Sequence, residues 1–159
     1  MTAEAKLRTL AQQDVNLQPY FFTPGPNGGA NQIRWFDRQM APGYLAVGKS
    51  CVRVVRISTI RLYSHETATR RAQNRFAYVR FQIDVLDFDA ERARSAANAI
   101  LDWLAVIDLS SNAQFGSPIT SPTRHPNMCL NQRSSMEYKI QPPAYCEMLD
   151  VRIIDLEEE

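Results

Sequence analysis

The sequence predicts an α+β domain: a mainly antiparallel β-sheet with a long β-hairpin, packed on one face by one main helix and a short N-terminal helix. The first observation behind this prediction is the stretch 75–109, where alternating apolar residues give way to apolar residues at helical spacing. The second is a set of long β-branched segments separated by polar or proline-containing connections, which is typical of hairpins. A chain of 159 residues suits one domain, 1–159.

The first element predicted is a short helix, Ala3–Gln13, capped by Thr2. Its apolar residues at helical spacing form the expected buried face: Ala3, Leu7, Leu10 and Ala11. The next segment, 15–32, is predicted to be a long loop because it contains the turn-rich run TPGPNGGANQ. Its glycines do not indicate a phosphate-binding loop, since the following segment, Ile33–Gln39, has the pattern of a strand and not of a helix.

A long strand is predicted at Cys51–Tyr63, which is rich in β-branched residues. Its alternation slips at Val54–Val55, which predicts a bulge or a strand covered on both faces. The polar connector Ser64–Asn74 joins this strand to the next one. Long strands flanking a polar connector predict a hairpin whose tip projects from the sheet.

The strand that follows places four apolar side chains on one face: Val79, Phe81, Ile83 and Val85. Asp89 is the predicted cap of the main helix, and Glu91 in its first turn favours the helix dipole. The buried face of this helix is predicted from residues at helical spacing: Ala93, Ala96, Ala97, Ile100, Leu104 and Ile107.

The last part of the chain is predicted to hold a long loop, 110–127, and then a terminal strand pair. The two strands are Met128–Ile140 and Cys146–Leu156, on either side of Gln141-Pro142-Pro143. Apolar residues at every second position of the last strand share one face: Leu149, Val151 and Ile153.

Bulk properties exclude several classes of protein. The net charge is +1, so composition gives no sign of a nucleic-acid or membrane partner. Three cysteines without CxxC spacing disfavour disulfides and a zinc site, and Cys51 and Cys146 are expected to be buried free thiols. The first residues have no apolar core, so a signal peptide is not expected, and no apolar run approaches the length of a membrane helix. We therefore expect synthesis in a host cytoplasm.

No constellation of residues indicates catalysis, a cofactor or a metal site. The two histidines, His65 and His125, lack a second ligand at metal spacing. The pattern around His65-Glu66 favours two exposed turn residues over an acid–base pair. There is no GxSxG, HExxH or Walker-type motif. The prediction is a protein that is not an enzyme.

Opposite charges are concentrated in two places. Arginines lie on the hairpin connector, and the run Asp155–Glu159 is acidic. This arrangement suits head-to-tail association between identical subunits. An equal alternative is that the arginines lie on an exposed loop and serve only to keep it soluble. The predicted subunit or partner interface consists of His65, Glu66, Arg70, Arg71, Arg75, Asp155 and Glu157.

Five segments together carry a resemblance to a known family. They are AEAKLRTLAQQD, CVRVVRISTIRLY, FQIDVLDFDAERARSAANAILDWL, MEYKI and CEMLDVRIIDL. Their order resembles that of phage tail terminators, also called tail completion or minor tail proteins, which are small α+β proteins of long-tailed phages. The third segment is similar to the strand–helix pattern of that family. The loops 15–32 and 110–127 are longer than a compact member would have.

The resemblance implies a structural virion protein. Tail terminators form a ring, usually a hexamer, at the head-proximal end of the tail tube. The implied partners are further copies of the chain, the tail tube protein and a head-completion or neck protein. DNA would pass through the lumen without specific binding.

Two other interpretations stay open at this point. The chain could be another neck component, such as a head-closure or tail-adaptor protein. From a different class, it could be a small nucleic-acid-binding or ligand-binding module that uses the arginine-bearing strand with Tyr63, Phe76 and Tyr78 as a stacking platform.

Overall fold

Three helices and seven strands are formed by the residues that the computed structural model describes, which are 2–23, 28–29, 31–37, 45, 48–62, 76–107, 109 and 127–156. The helices are α1 (Ala3–Gln13), α2 (Gln18–Phe21) and α3 (Ala90–Val106). The strands are β1 (Phe22–Thr23), β2 (Gln32–Ile33), β3 (Trp35–Asp37), β4 (Cys51–Leu62), β5 (Phe76–Asp87), β6 (Met128–Glu137) and β7 (Ala144–Leu156).

The main sheet has five strands in the order β3-β4-β5-β7-β6. Every neighbouring pair is antiparallel except β3 and β4, which run parallel over three residues. Strands β1 and β2 form a separate two-stranded sheet. The predicted α+β architecture, a mainly antiparallel sheet with one main helix and a short N-terminal helix, is therefore confirmed.

The long hairpin is formed by β4 and β5, which pair from Cys51 with Leu86 to Leu62 with Phe76. The tip that joins them lies outside the described residues. The bulge falls between Arg56 and Ser58, and not at Val54–Val55 as the sequence suggested. The alternation at Val54 is regular because that side chain enters the core while Val55 is only half-buried.

One face of the sheet is covered by α1 and α3. The main core lies between these helices and the sheet. The buried side chains of α1 are Ala3, Leu7 and Ala11, while Leu10 packs against the core from its edge. The ring of Trp103 on α3 meets that of Trp35 on β3 edge to face, with centroids 6.0 Å apart. From the sheet, the core receives Val79, Phe81, Ile83, Val85, Leu149, Val151 and Ile153, as the alternation predicts.

Helix α3 has a side-chain cap at each end. The Asp89 carboxylate accepts hydrogen bonds from the backbone N–H groups of Glu91 and Arg92, at 2.9 and 3.1 Å. At the other end, the Asn127 side-chain amide donates to the carbonyls of Leu104 and Ile107, at 2.5 and 2.8 Å. These bonds satisfy backbone groups that a helix leaves unpaired at its ends.

Two predicted elements differ in the structure. The segment 15–32 is not a plain loop, because it contains α2 and the strands β1 and β2. The strand expected at Ile33–Gln39 is divided, since Ile33 pairs with Phe22 and Trp35 pairs with Val52 in the other sheet. The residues 110–126 lie outside the described part of the chain.

Replacing Leu104 by alanine should lower the free energy of unfolding by about 2–3 kcal/mol, at the lower end of the range for buried leucines. The side chain is 4 % exposed and lines a cavity of about 180 Å³ with Leu101, Ala105 and Val151. Neighbours beside an existing cavity can relax into the space, which reduces the penalty. Urea unfolding followed by tryptophan fluorescence measures the change in the free energy of unfolding. A decrease below about 0.5 kcal/mol would mean that Leu104 does not contribute to the core.

Candidate interaction surface

The face of the sheet away from the helices is mostly polar, and we call it the polar face. It carries the even-numbered residues of β5 and β7, which alternate with the core residues of those strands. One end of this face is closed by a small apolar cluster that contains Leu45, Cys51, Leu86, Ala144 and Cys146. The rest of the face consists of arginines, carboxylates and amides.

Beside the apolar cluster, one arginine is held by two carboxylates. Arg53 on β4 donates to the Asp84 carboxylate from Nε at 3.1 Å and from Nη2 at 2.8 Å. Its Nη2 also lies 3.3 Å from Glu137 Oε2 on β6. The Asp84 side chain is only 2 % exposed, so its charge is compensated within the chain.

Farther along the face, arginines outnumber carboxylates. Arg80 makes a two-point ion pair with Asp150, and these bonds hold the pKa of the Asp150 carboxyl below its ordinary value, with Arg133 adding to the effect. Arg152 lies opposite Arg80 in the strand register. Its guanidinium stacks over the Tyr78 ring, 4.6 Å from the centroid, and its buried Nε has no hydrogen-bond partner.

At the end of β5, the buried carboxylate of Asp87 joins three parts of the chain. It accepts hydrogen bonds from Ser50 Oγ at 2.6 Å and from the Asp89 backbone N–H at 2.9 Å. Arg92 on α3 donates to both carboxylate oxygens, at 2.7 and 2.8 Å. Burial opposes ionisation, but these bonds outweigh it and hold the pKa of Asp87 below its ordinary value. The contact ties the start of α3 to the sheet.

The sheet has two uncovered edges among the described residues. Strand β6 forms one edge, and its residues from Met128 to Ser135 are all exposed. Strand β4 forms the other edge beyond Val54, because the described residues pair with it through β3 only as far as Val54. Each edge contains a bulge, at Ile57 in β4 and at Leu130 in β6. These two side chains are 50 % and 44 % exposed.

The predicted buried free thiols are confirmed for Cys51 and Cys146. Burial raises the pKa of each thiol to about 12, which suppresses the reactive thiolate. Cys129 on β6 is exposed, and partial desolvation raises the pKa of this thiol as well. None of the three cysteines has the lowered pKa of an activated nucleophile.

The structure describes only one of the predicted interface residues. His65, Glu66, Arg70, Arg71, Arg75 and Glu157 lie outside the described residues, as does His125. Asp155 is 3 % exposed and accepts a hydrogen bond from Lys6 Nζ on α1 at 2.7 Å. In the single chain this carboxylate, predicted to belong to a subunit or partner interface, faces the helices and pairs with Lys6.

The stacking platform of the nucleic-acid hypothesis lies partly outside the described residues, because Tyr63 and the side chain of Phe76 are not among them. Two arginines of β4 have described side chains, and both are engaged. Arg53 pairs with Asp84, and Arg56 makes a two-point contact with Glu4, at 2.8 and 2.7 Å. Tyr78 is stacked against Arg152. A platform needs aromatic faces and cations that are free to meet bases and phosphates.

Within the described ranges, no group of three histidine, cysteine, aspartate or glutamate side chains is placed to hold a metal ion. None of the described helices has the length and apolar character needed to cross a membrane. Comparison with protein-family models and with curated proteins found no match.

Sequence reasoning did not find the group formed by Arg80, Arg133, Arg152 and Asp150, which lie on three strands. Alternation does place Arg80 and Arg152 on the face opposite the core, because each lies between buried residues. What the sequence does not reveal is the register that sets β6 beside β7 and so brings Arg133 to the same place.

Proposed function

We propose that this protein is a structural component that assembles with copies of itself into a closed ring. Following the resemblance to tail terminators, we place this ring at the head-proximal end of a phage tail tube, where it ends tube growth and joins the tail to the head. The observation that carries the proposal is the pair of sheet edges that no other described strand covers. A strand edge with unpaired backbone groups is a template for pairing with another chain.

The directions of the edge strands support head-to-tail assembly. Strands β4, β5, β7 and β6 alternate in direction, because each neighbouring pair is antiparallel. The β4 and β6 edges therefore run in opposite directions. When β6 of one copy meets β4 of the next, the two strands are antiparallel and the alternation continues. The two patches differ, so the contact is heterologous and closes into a ring when the rotation between copies allows it.

Exposed apolar side chains mark both edges. Ile57 and Ile60 on β4 are 50 % and 61 % exposed, and Met128 and Leu130 on β6 are each 44 % exposed. Large apolar side chains on uncovered edges favour aggregation unless a specific partner covers them. The bulges interrupt each edge, so a partner must match their positions. This favours one defined neighbour over open-ended pairing.

The phage role rests on the resemblance of the five segments, and the charge of the polar face is compatible with it. Among the described residues, four arginines on this face accompany three carboxylates, and two of the arginines are paired with carboxylates. A nearly balanced surface does not hold DNA tightly at physiological salt. Such a face suits a lumen through which DNA passes without specific binding. The partners in this role are the tail tube protein and a head-completion protein.

Electron microscopy of particles made without this gene tests the proposal. Overlong tubes without heads are expected, because nothing would stop tube growth. Filled heads that leak DNA beside tails of normal length would instead place the protein among the head-side neck components. Infectious particles of normal form would contradict a virion role of either kind.

A further inference from the structure

A groove on the polar face collects more positive charge than the described carboxylates neutralise. It has a volume of about 180 Å³, and its lining includes Arg80, Gln82, Asn131, Arg133, Met148 and Asp150. We call it the arginine groove. Asp150 is the carboxylate of this lining, and it is already bonded to Arg80. A guanidinium and two amides therefore surround space that suits a further anionic group.

Two lining groups have unused donors. Among the described residues, neither the Arg133 guanidinium nor the Asn131 side-chain amide makes a hydrogen bond, although Arg133 acts on Asp150 electrostatically. Beside the groove, Arg152 lies opposite Arg80 and has no carboxylate partner in the described part of the chain. Like charges placed opposite each other across a strand pair are unfavourable, so a second carboxylate at this place would relieve the repulsion.

We infer that the arginine groove receives glutamate side chains from the run Glu157–Glu159 of a neighbouring copy. This inference rests on the proposed ring, because it makes the groove part of the contact between successive subunits. The run supplies three carboxylates in sequence, and the groove supplies the complementary guanidinium and amide donors. Charge complementarity of this kind selects the partner and fixes the register of association.

The run of the same chain cannot reach Arg133. Arg133 lies opposite Met148, which precedes Leu156 by eight positions, a span of about 26 Å along a strand. Three fully extended residues reach about 10 Å. The glutamates that meet Arg133 therefore belong to another copy.

The polar face favours a short acidic peptide over nucleic acid. Asp84, Asp150 and Glu137 lie on the same face as the groove. These carboxylates would repel a continuous phosphate backbone, whereas one glutamate side chain needs only the donors inside the groove. The net charge of the chain, +1, also provides little long-range attraction for DNA.

The test measures binding of a labelled peptide with the sequence IIDLEEE, residues 153–159, by fluorescence anisotropy at low salt. The receptor is the full chain with Glu157, Glu158 and Glu159 changed to glutamine, which leaves its groove vacant. Saturable binding is expected, and Arg133→Glu should weaken it by about tenfold or more. Arg133→Gln should weaken it less. Arg94→Glu is the matched control, because Arg94 is exposed on α3, on the other side of the sheet. The Arg94→Glu receptor should bind the peptide with the same affinity as the parent receptor.

Equal weakening by Arg133→Glu and Arg94→Glu would overturn the inference, as would equally tight binding of a peptide with three glutamines. Displacement of the peptide by a DNA oligonucleotide at lower concentration would assign the groove to nucleic acid instead. Melting curves of the variants check that the fold is retained. The inference can fail separately from the proposed function. If rings form normally with the three glutamines in place, the contact between the glutamate run and the arginine groove is wrong, while the proposed ring is retained.

Discussion

Replacing Asp87 by alanine is expected to lower the free energy of unfolding by about 2–3 kcal/mol, the cost of leaving buried hydrogen-bond donors without an acceptor. The side chain is fully buried. Its removal leaves the Ser50 hydroxyl, the Asp89 backbone N–H and the Arg92 guanidinium without their acceptor. Chemical unfolding at neutral pH, followed by circular dichroism, measures the loss.

The matched control is Asp102→Ala. Asp102 is exposed on α3 and makes no ion pair within the described part of the chain, so the free energy of unfolding should change by less than about 0.5 kcal/mol. If Asp87→Ala and Asp102→Ala have equal effects, Asp87 does not anchor the helix to the sheet.

The same variant has a defined pH dependence. Because the pKa of Asp87 is lowered by folding, the ionised carboxylate contributes stability above the pKa of the unfolded chain, and this contribution is lost as pH falls through the lower folded value. The difference in unfolding free energy between the parent and Asp87→Ala should therefore be constant above about pH 5 and shrink below about pH 4. A difference that does not depend on pH would assign the effect to packing.

The strand–helix unit was predictable because its signals are local. Alternation from Val79 to Val85 gives way to helical spacing after Asp89, and the structure has β5, the cap and α3 in these places. The strand pair β6–β7 was predictable for the same reason, since a proline-containing turn separates two strand patterns.

Contacts between distant parts of the chain were not predictable in this way. Lys6 and Asp155 are separated by 149 positions, and no local pattern relates them. The alternation of β7 did hold one clue, because Asp155 continues the series of core-facing residues that contains Leu149 and Ile153. The neighbouring glutamates suggested a subunit or partner interface instead. Strand register likewise determines the arginine groove, and composition does not fix register.

Placing a lysine on either uncovered edge is expected to abolish ring assembly while leaving the fold intact. Ile60→Lys alters the β4 edge and Leu130→Lys the β6 edge, and both side chains are exposed in the single chain, so the melting temperature should change little. At a subunit contact, each lysine would bury an unpaired ammonium at a cost of about 3–5 kcal/mol per interface. Val106→Lys is the matched control, because Val106 is 78 % exposed on α3. Analytical ultracentrifugation and electron microscopy measure the assembly.

Mixing the two edge variants separates head-to-tail pairing from symmetric pairing. When β6 of one copy meets β4 of the next, each variant alone lacks one partner surface and stays monomeric. A mixture of the two retains one intact β4 edge and one intact β6 edge, so it should form pairs with one copy of each variant and nothing larger. Pairing of β6 with β6 would instead let Ile60→Lys form dimers by itself. Rings of normal size from either variant would exclude the contact between β4 and β6, and the ring would then need another surface of the chain.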